Sequence, residues 1–307
     1  MLLPRLDRLL AALPEQPVWQ WLGRADRIEA APATVPHAVF DVVPVQFAHA
    51  AVARQGEVGD ASLNVWLRAD PCWLQPDMST LRMMACGQLQ LTQSEAEDLA
   101  ASVRAVFGDA GMELSIPHPD RWYLKLPMGS DPPPFSPPAD VLGDDIERHL
   151  PSGNSGLRWK RLLNEVQMSL HLHPVSKRRE AKGMTPVNSL WFWGGGRLPN
   201  RVRPARARYF TEDQMLRGLA NLAGVVCLPV AASLAAIDNC SDSMIDLRGV
   251  DPQPLIADWL DPLIRRLRAK QMQDITFGFS AGERFELRSA HRWRFWRKPL
   301  SASGAGD

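Results

Sequence analysis

The chain has 307 residues, of which 45% are hydrophobic and 22% are charged, a composition typical of a soluble globular protein. Its 35 basic and 34 acidic residues nearly cancel, so the net charge by itself favours neither a nucleic-acid-binding protein nor one that binds acidic substrates. The four cysteines form no CxxC pair, which argues against a disulfide framework or a zinc ribbon and indicates a cytoplasmic setting. The first residues lack the uninterrupted apolar core of a signal peptide, and residues 219–237, the most apolar stretch, contain Asn221 and Pro229. We therefore expect neither a membrane segment nor a membrane partner.

The first half of the chain predicts a small α+β module. Residues 1–60 show a short amphipathic helix followed by an irregular segment rich in Ala, Pro and Val. Within residues 61–127, strands are expected at 61–69 and 81–86, with a turn at Asp70-Pro71 between them. Ser94 and Glu97 have the spacing of a capping box, which predicts a helix from there to Phe107. Two further strands are expected at 112–116 and 122–126.

The second half predicts a larger α/β domain. The prolines of residues 128–143 predict a linker without regular structure. Across residues 144–300, helices are expected at 157–171, 211–222 and 252–270, and strands at 187–193, 225–230, 274–279 and 284–288. Helices that alternate with apolar strands predict an α/β fold whose mostly parallel sheet is covered by helices on both faces. Residues 301–307 read as a disordered tail.

The helix at 157–171 carries the first candidate site. Its apolar stripe consists of Trp159, Leu162, Leu163, Val166 and Leu170. The ligand-binding candidates Asn164, Gln167 and His171 lie on an adjoining face, where His171 can titrate near neutral pH. An alternative is an amphipathic helix whose polar residues only bond to the neighbouring backbone. A metal is not predicted, because zinc needs three or four ligands and the sequence offers only the pairs Asp145 with His149 and His171 with His173.

A second candidate site is the triple glycine that follows a short aromatic run at residues 191–193. The sequel Arg197-Leu198-Pro199 excludes both the P-loop and the Rossmann fingerprint, since each needs a helix directly after its glycines. A looser anion site remains possible, with main-chain amides and nearby side chains as donors. Its expected members are Asn188, Gly194, Gly195, Gly196 and Arg197, with a further group of arginines close by in sequence. The alternative is a tight turn where another element packs closely.

Two basic segments raise the possibility of nucleic-acid binding. The first contains Arg201, Arg203, Arg206 and Arg208, and the second contains Arg292, Arg294 and Arg297 interleaved with aromatic residues. Arginine and tryptophan together can stack on bases and bind phosphates. The interpretation that we favour for residues 289–298 is an edge strand with its aromatic residues inward and its arginines outward. No nucleophile motif is present, and Asp242-Ser243 is a weak candidate only.

Three blocks of sequence together resemble the RpfE-type regulatory proteins of proteobacteria, which are often labelled phosphoglycerate-mutase-like. The blocks are residues 118–127 (HPDRWYLKLP), 149–175 (which include WKRLLNEVQMSLHLHPV) and 187–196 (VNSLWFWGGG). Ser176 departs from the Asn that this family places after His-Pro-Val. The resemblance covers residues 60–290, most of the chain.

Residues 183–196 and 216–224 are also similar to part of the cofactor-independent, metal-dependent phosphoglycerate mutases of the alkaline-phosphatase superfamily. That resemblance implies an alkaline-phosphatase-like core, two metal ions held by Asp and His side chains, and a serine that becomes phosphorylated. The chain has no Asp-Gly-x-Gly-Asp opening, and His291 is its only histidine after His173. The resemblance therefore implies descent from these enzymes without their activity.

These observations lead to three alternatives. The preferred one is a cytoplasmic, catalytically degenerate regulatory protein with no cofactor predicted. Its site is expected between the helix at 157–171 and residues 194–196, where an acidic or phosphorylated ligand or a partner protein would bind. A second is a phosphotransfer enzyme with a non-standard metal site. A third is a nucleic-acid-associated protein that uses the arginine-rich segments.

Overall fold

The computed structural model describes residues 1–28, 35–78, 80–238 and 240–301, so residues 302–307 of the expected disordered tail lie outside the described residues. The chain divides into two compact units, unit 1 (Met1–Val42 with Val202–Asp307) and unit 2 (Val43–Arg201). The strands are β1 (Leu2–Leu3), β2 (Asp26–Ile28), β3 (Phe40–Val43), β4 (Val65–Asp77), β5 (Thr80–Cys86), β6 (Glu113–His118), β7 (Arg121–Leu126), β8 (Ser189–Gly196), β9 (Arg201–Pro204), β10 (Arg208–Phe210), β11 (Val226–Leu228), β12 (Ser243–Ile245), β13 (Asp274–Phe279) and β14 (Arg284–Arg288). The helices are α1 (Leu6–Ala12), α2 (Pro17–Arg24), α3 (Val35–Val39), α4 (His49–Glu57), α5 (Gln93–Asp109), α6 (Pro138–Val141), α7 (Gly153–Leu170), α8 (Pro174–Ala181), α9 (Gln214–Leu222), α10 (Pro252–Pro254) and α11 (Asp261–Arg268).

Unit 2 is built on an antiparallel sheet with β4 at its centre. The strands follow the order β5-β4-β7-β6, and β8 pairs with the other edge of β4. Helices α5 and α7 cover the sheet with their apolar stripes, and the ring of Trp159 lies 5.3 Å from that of Phe192. The predicted helix at 157–171 is confirmed in α7, and the strands predicted at 112–116 and 122–126 are confirmed in β6 and β7.

The turn predicted at Asp70-Pro71 is wrong, because β4 continues through both residues to Asp77. On one edge, β4 pairs with β7 up to Arg68 and with β5 from Cys72 onward. Pro71 therefore lies where this edge changes partners, and its missing N–H disrupts no ladder there. On the other edge of β4, the ladder with β8 is regular from Arg68 through Pro71 to Cys72.

The start of α5 also differs from the prediction by two residues. The N-cap is Thr92, whose hydroxyl accepts from the amide of Glu95, while the Glu95 carboxylate accepts from the amide of Thr92. The predicted capping box at Ser94 is thus wrong in position, since Thr92-x-x-Glu95 has the same spacing. Glu95 gains a second partner in the buried Arg179, at 3.0 Å, which favours the earlier cap.

Unit 1 contains strands in both directions. One sheet has the order β1-β13-β14-β2, in which β1 and β13 are parallel and the other pairs antiparallel. A second sheet, β11-β10-β12, is parallel, and β3 pairs with β9. The helix predicted at 252–270 is interrupted by a π-helical segment, Leu255–Leu260, which ends two residues before Pro262. Proline cannot donate the helical hydrogen bond, which accounts for the interruption.

The predicted α/β class is confirmed, but the strand directions are mixed rather than mostly parallel. The parallel pairs described above belong to unit 1, and β8 runs antiparallel to β4. Apolar runs identify buried strands, but they carry no information on the partner or its direction. The strand that ends in the triple glycine thus joins the sheet of the first-half module.

The division into units differs from the organisation expected from the sequence. The proline-rich residues 128–143 contain no regular element before α6. Phe135 and Val141 of this segment nevertheless lie in the core of unit 2, and the indole of Trp191 donates to the carbonyl of Ser136. The segment therefore packs against the core instead of separating two bodies. None of the described helices is long and apolar enough to cross a membrane.

Candidate functional site

Helix α7 turns its candidate polar residues away from the core. Its apolar stripe is buried, whereas Asn164 and His171 are exposed and Gln167 is half-buried. His171 is the C-cap, and its amide donates to the carbonyl of Gln167. The arrangement matches an amphipathic helix that presents a polar face to solvent, so a ligand-binding role for these residues stays a prediction.

Asn188 binds the backbone of β4. Its side-chain oxygen accepts from the amide of Leu74 at 2.8 Å, and its side-chain nitrogen donates to the carbonyl of Leu74 at 2.7 Å. The side chain thus reproduces a pair of ladder hydrogen bonds just before β8 begins. These two bonds occupy both ends of the amide group.

The triple glycine forms the end of β8, packed closely against α4. Gly194 has φ +64°, and a Cβ there would lie 2.9 Å from the Cβ of His49. A Cβ on Gly196 would lie 2.9 Å from that of Ala48. The ladder with β4 is irregular at this point, because the register shifts between Trp66 and Arg68. Close approach of another element therefore explains the glycines, while Arg197 that follows them is exposed.

Beside these glycines lies a buried ion pair that the patterns considered in the sequence do not predict. The Arg68 guanidinium contacts Asp70 Oδ1 at 2.6 Å, and both residues are almost fully buried. Asp70 also accepts from the indole of Trp193 at 2.7 Å and from the amide of Trp122 at 3.3 Å. Two charged residues at positions i and i+2 of an apolar strand share one face, and this pattern is the signal that the sequence contained.

The ion pair is the inner end of a longer polar network. Arg68 lies over the ring of Tyr123, whose hydroxyl donates to Glu57 at 2.8 Å, and Glu57 pairs with Arg121 at 2.7 Å. Burial disfavours the charge of Arg68, but Asp70, Tyr123 and Glu57 together raise its pKa above the usual value. The charged groups of this network are therefore paired with one another inside unit 2.

His49 borders this network as a neutral group. Its ring centroid lies 4.2 Å from that of Trp193, and its Nδ1 atom is buried without a hydrogen-bond partner among the described residues. Burial and the nearby charge of Arg68 lower the pKa of His49 to about 3. A histidine with such a pKa is not suited to proton transfer near pH 7.

Three of the four weak metal candidates, Asp145, His149 and His173, take part in local side-chain contacts. The ring of His149 lies between Ser136 Oγ at 3.2 Å and Asp144 Oδ2 at 3.1 Å. Asp145 accepts from the amide of Glu147. His173 Nδ1 accepts from the amide of Val175, and His171 is exposed. Within residues 1–28, 35–78, 80–238 and 240–301, no three His, Cys, Asp or Glu side chains come together to hold a metal ion. This donor set does not fit a two-metal centre.

Unit 2 has an open groove between α5 and α7, with a volume of about 430 Å³. Apolar side chains form part of its lining, namely Val106, Met112, Trp159 and Leu162. Charged side chains of both signs also line it, namely Asp109, Arg158, Arg161 and Glu165. An apolar floor with a few charged groups is the usual composition of a ligand site. The ligand-binding residues predicted on α7, namely Asn164, Gln167 and His171, do not line this groove.

The arginines of the two basic segments have different environments. Arg201 and Arg203 are exposed, Arg206 lies 3.5 Å from Asp242, and Arg208 donates to the carbonyl of Ser241. In the second segment, Arg292 lies over the Trp293 ring, while Arg294 and Arg297 donate to residues of unit 1 itself. The edge strand predicted at 289–298 is wrong, because Ser289–Trp293 is a 3-10 helix followed by a turn.

Comparison with known proteins identifies relatives over part of the chain. No family model matches. A probable 2,3-bisphosphoglycerate-independent phosphoglycerate mutase of Geobacter sulfurreducens is 28% identical over 192 residues, which are 60% of this chain and 47% of that protein. The 2,3-bisphosphoglycerate-independent phosphoglycerate mutase of Methanosarcina barkeri is 29% identical over 192 residues, which are 58% of this chain and 47% of that enzyme. The chain thus spans about half the length of the curated relatives it matches.

A solved structure of a cofactor-independent phosphoglycerate mutase from Thermoplasma acidophilum aligns with a TM-score of 0.45 and 18% identity, over 89% of this chain and 81% of that one. The similarity to RpfE-type proteins stays a prediction. What the sequence relatives support is that this chain is related to the cofactor-independent phosphoglycerate mutases, and through them to the alkaline-phosphatase superfamily.

Proposed function

We propose that this chain is a regulatory, ligand- or partner-binding protein that descends from cofactor-independent phosphoglycerate mutases but does not catalyse their reaction. The observation that carries the proposal is the environment of its metal-ligand candidates. Asp145, His149 and His173 are engaged in local hydrogen bonds, and no metal-binding trio forms within the described parts of the chain. A transferring phosphoryl group needs strong positive charge at its oxygens, which metal ions supply in two-metal enzymes.

The groove between α5 and α7 is the place where we expect a ligand to bind. Arg158 and Arg161 supply positive charge beside an apolar floor. Arginine is well suited to carboxylates and phosphates because its fork of N–H donors matches their geometry. The expected ligand carries such a group next to an apolar portion, either as a small molecule or as a segment of a partner protein.

The absence of turnover is tested with the purified full chain. We expect no interconversion of 2- and 3-phosphoglycerate and no phosphatase activity after incubation with Mn²⁺, Zn²⁺ or Mg²⁺, under conditions in which the Methanosarcina barkeri relative is active. Metal content measured after gel filtration is expected to be well below one ion per chain. Stoichiometric metal together with turnover would instead establish the alternative, a metal-dependent phosphotransfer enzyme, which the similarity to curated mutases favours.

Binding at the groove is tested by titration with phenyl phosphate, which joins a phosphate to an apolar ring, followed by NMR or calorimetry. We expect Arg161→Glu to weaken binding by about tenfold or more, because it replaces attraction by repulsion at the groove. Arg178→Glu is the matched control, since Arg178 is an exposed arginine of unit 2 on α8. Equal loss in both variants, or binding unaffected by Arg161→Glu, would show that the groove is not the site.

A further inference from the structure

Three large aromatic side chains are exposed within four residues near the end of the described chain. After β14, the 3-10 helix Ser289–Trp293 leads into a turn. Trp293 is 65% exposed, Phe295 77% and Trp296 68%. Single exposed apolar residues are common in proteins, but three exposed aromatic side chains so close together in the chain are typical of a binding surface.

Hydrogen bonds hold the segment that carries these aromatic residues against α2 and the residues that follow α2. Arg294 donates to the carboxylate of Asp26 and to the carbonyl of Arg24, and Arg297 donates to the carbonyl of Ala25. The amide of Leu300 donates to the carbonyl of Trp19. The segment is thus held at both ends.

The packing below this segment is also close. A Cβ on Gly23 of α2 would lie 2.1 Å from the carbonyl oxygen of Lys298, so only glycine permits this approach. Charged side chains normally face solvent and aromatic side chains normally face the core. In this segment two arginines are bonded to the protein, whereas the aromatic side chains are exposed. A fixed backbone lowers the entropy lost when such side chains bind a partner.

Two cations accompany the aromatic side chains. The guanidinium of Arg292 lies 4.9 Å from the ring centroid of Trp293, and Lys298 is exposed. The rings of Phe295 and Trp296 pack edge to face at 5.4 Å. We call these five residues, Arg292, Trp293, Phe295, Trp296 and Lys298, the aromatic face.

We infer that the aromatic face binds peripherally to a phospholipid bilayer with an anionic surface. Tryptophan prefers the boundary between headgroups and acyl chains, where its ring is buried and its N–H stays near water. Arginine and lysine beside it attract anionic headgroups. The sequence argues only against a membrane-spanning segment, and peripheral binding requires none. This inference is independent of the proposed ligand groove.

Single-stranded nucleic acid is the other partner that aromatic and basic side chains suit, but the geometry favours it less. Nucleic-acid binding draws most of its affinity from phosphate contacts by cations. Arg294 and Arg297 are directed to Asp26 and backbone carbonyls instead. One face of the Trp293 ring is already covered by Arg292, which leaves less ring surface for stacked bases. Burial of apolar rings therefore contributes more than phosphate contacts at this surface.

The test is flotation of the full-length protein with vesicles. We expect binding to vesicles of phosphatidylcholine with 30% phosphatidylglycerol, weaker binding to phosphatidylcholine alone, and a reduction by added salt. Simultaneous replacement of Trp293, Phe295 and Trp296 by Ser should lower the partition coefficient about tenfold or more, because binding scales with the apolar area buried. Lys298→Glu should weaken binding to anionic vesicles only.

The control variant is Leu63→Ser, which removes an apolar side chain that is 89% exposed in unit 2. It should leave vesicle binding unchanged, and circular dichroism should show that all variants are folded. Absence of vesicle binding by the wild type would overturn the inference, as would equal binding by the triple variant. Salt-dependent binding to a single-stranded oligonucleotide that requires the aromatic face, without flotation, would replace it by nucleic-acid recognition.

Discussion

Asp70 connects three parts of unit 2 through one buried carboxylate. It accepts from Arg68 on its own strand, from the amide of Trp122 at the start of β7 and from the indole of Trp193 on β8. It also stands where one edge of β4 has no ladder partner. The carboxylate therefore satisfies donors that the sheet leaves open at this point.

Replacement of Asp70 by Asn is expected to destabilise the protein strongly. It leaves the buried guanidinium of Arg68 without its counter-charge, which costs on the order of 3–5 kcal/mol. The free energy of unfolding in urea measures the effect. Asp77→Asn is the matched control, because Asp77 pairs with Arg82 at 2.8 Å near the end of the same strand and both side chains are about half exposed. That change should cost less than about 1 kcal/mol, and similar losses in both variants would contradict the buried role of Asp70.

His49 predicts a pH dependence of stability. Its pKa is about 3 in the folded protein, below the ordinary value of 6.5, so the unfolded chain binds its proton first as pH falls. Stability from this group is complete above pH 6.5 and is lost as pH decreases from 6.5 to about 3, with a slope of at most about 1.4 kcal/mol per pH unit. His49→Gln removes this titration, so its unfolding free energy should fall less steeply over that window. Parallel pH profiles for the wild type and the variant would exclude the effect.

A comparison of Gly194 with Gly183 separates the energetic cost of close packing from the cost of a positive φ angle. Gly194 and Gly183 have φ values of +64° and +70°, but a Cβ would meet α4 at Gly194 and nothing within 4 Å at Gly183. Both Gly→Ala changes incur about 1–2 kcal/mol of backbone strain. Gly194→Ala should cost about 1–3 kcal/mol more, because α4 must shift. Equal unfolding free energies would show that close packing does not account for this glycine.

At the level of elements, the start of α5 gives a direct test of the observed cap. Thr92→Ala should destabilise the protein by about 1 kcal/mol, since it removes the hydroxyl that accepts from the amide of Glu95. Ser94→Ala, at the position that the sequence suggested as the cap, should change stability by less than about 0.5 kcal/mol. Thermal or urea unfolding of the two variants decides between the caps, and a larger loss at Ser94 would favour the sequence-based assignment.

The sequence predicted most elements but not their partners. Helix α7 and strands β6, β7, β13 and β14 follow from periodicity and turn residues, which are local signals. The pairing of β8 with β4 joins residues more than one hundred positions apart, and no local pattern encodes it. The surroundings of the triple glycine likewise depend on contacts between residues that are distant in sequence. The triple glycine is evident in the sequence, but the helix that packs against it begins at His49, in a stretch whose composition predicts no helix.

For the whole molecule, the observed division predicts which fragment folds alone. Residues 43–201 contain the complete sheet around β4 with its covering helices and should fold cooperatively, with near-UV circular dichroism and a single urea transition. A fragment of residues 61–127, the module expected from the sequence, lacks β8, α4 and α7 and should remain unfolded because much of its core is missing. Folding of the shorter fragment, or failure of the longer one, would contradict this division.

The order of synthesis gives the parallel pairing of β1 with β13 a further consequence. Leu2 pairs with Gly278, so the first strand of the chain leaves the ribosome long before its partner exists. At the usual speed of translation the interval is on the order of tens of seconds. All of unit 2 is made within that interval and can fold in it, whereas the apolar N-terminal residues of unit 1 stay without their sheet. Those residues are where we expect a nascent chain of this protein to engage chaperones.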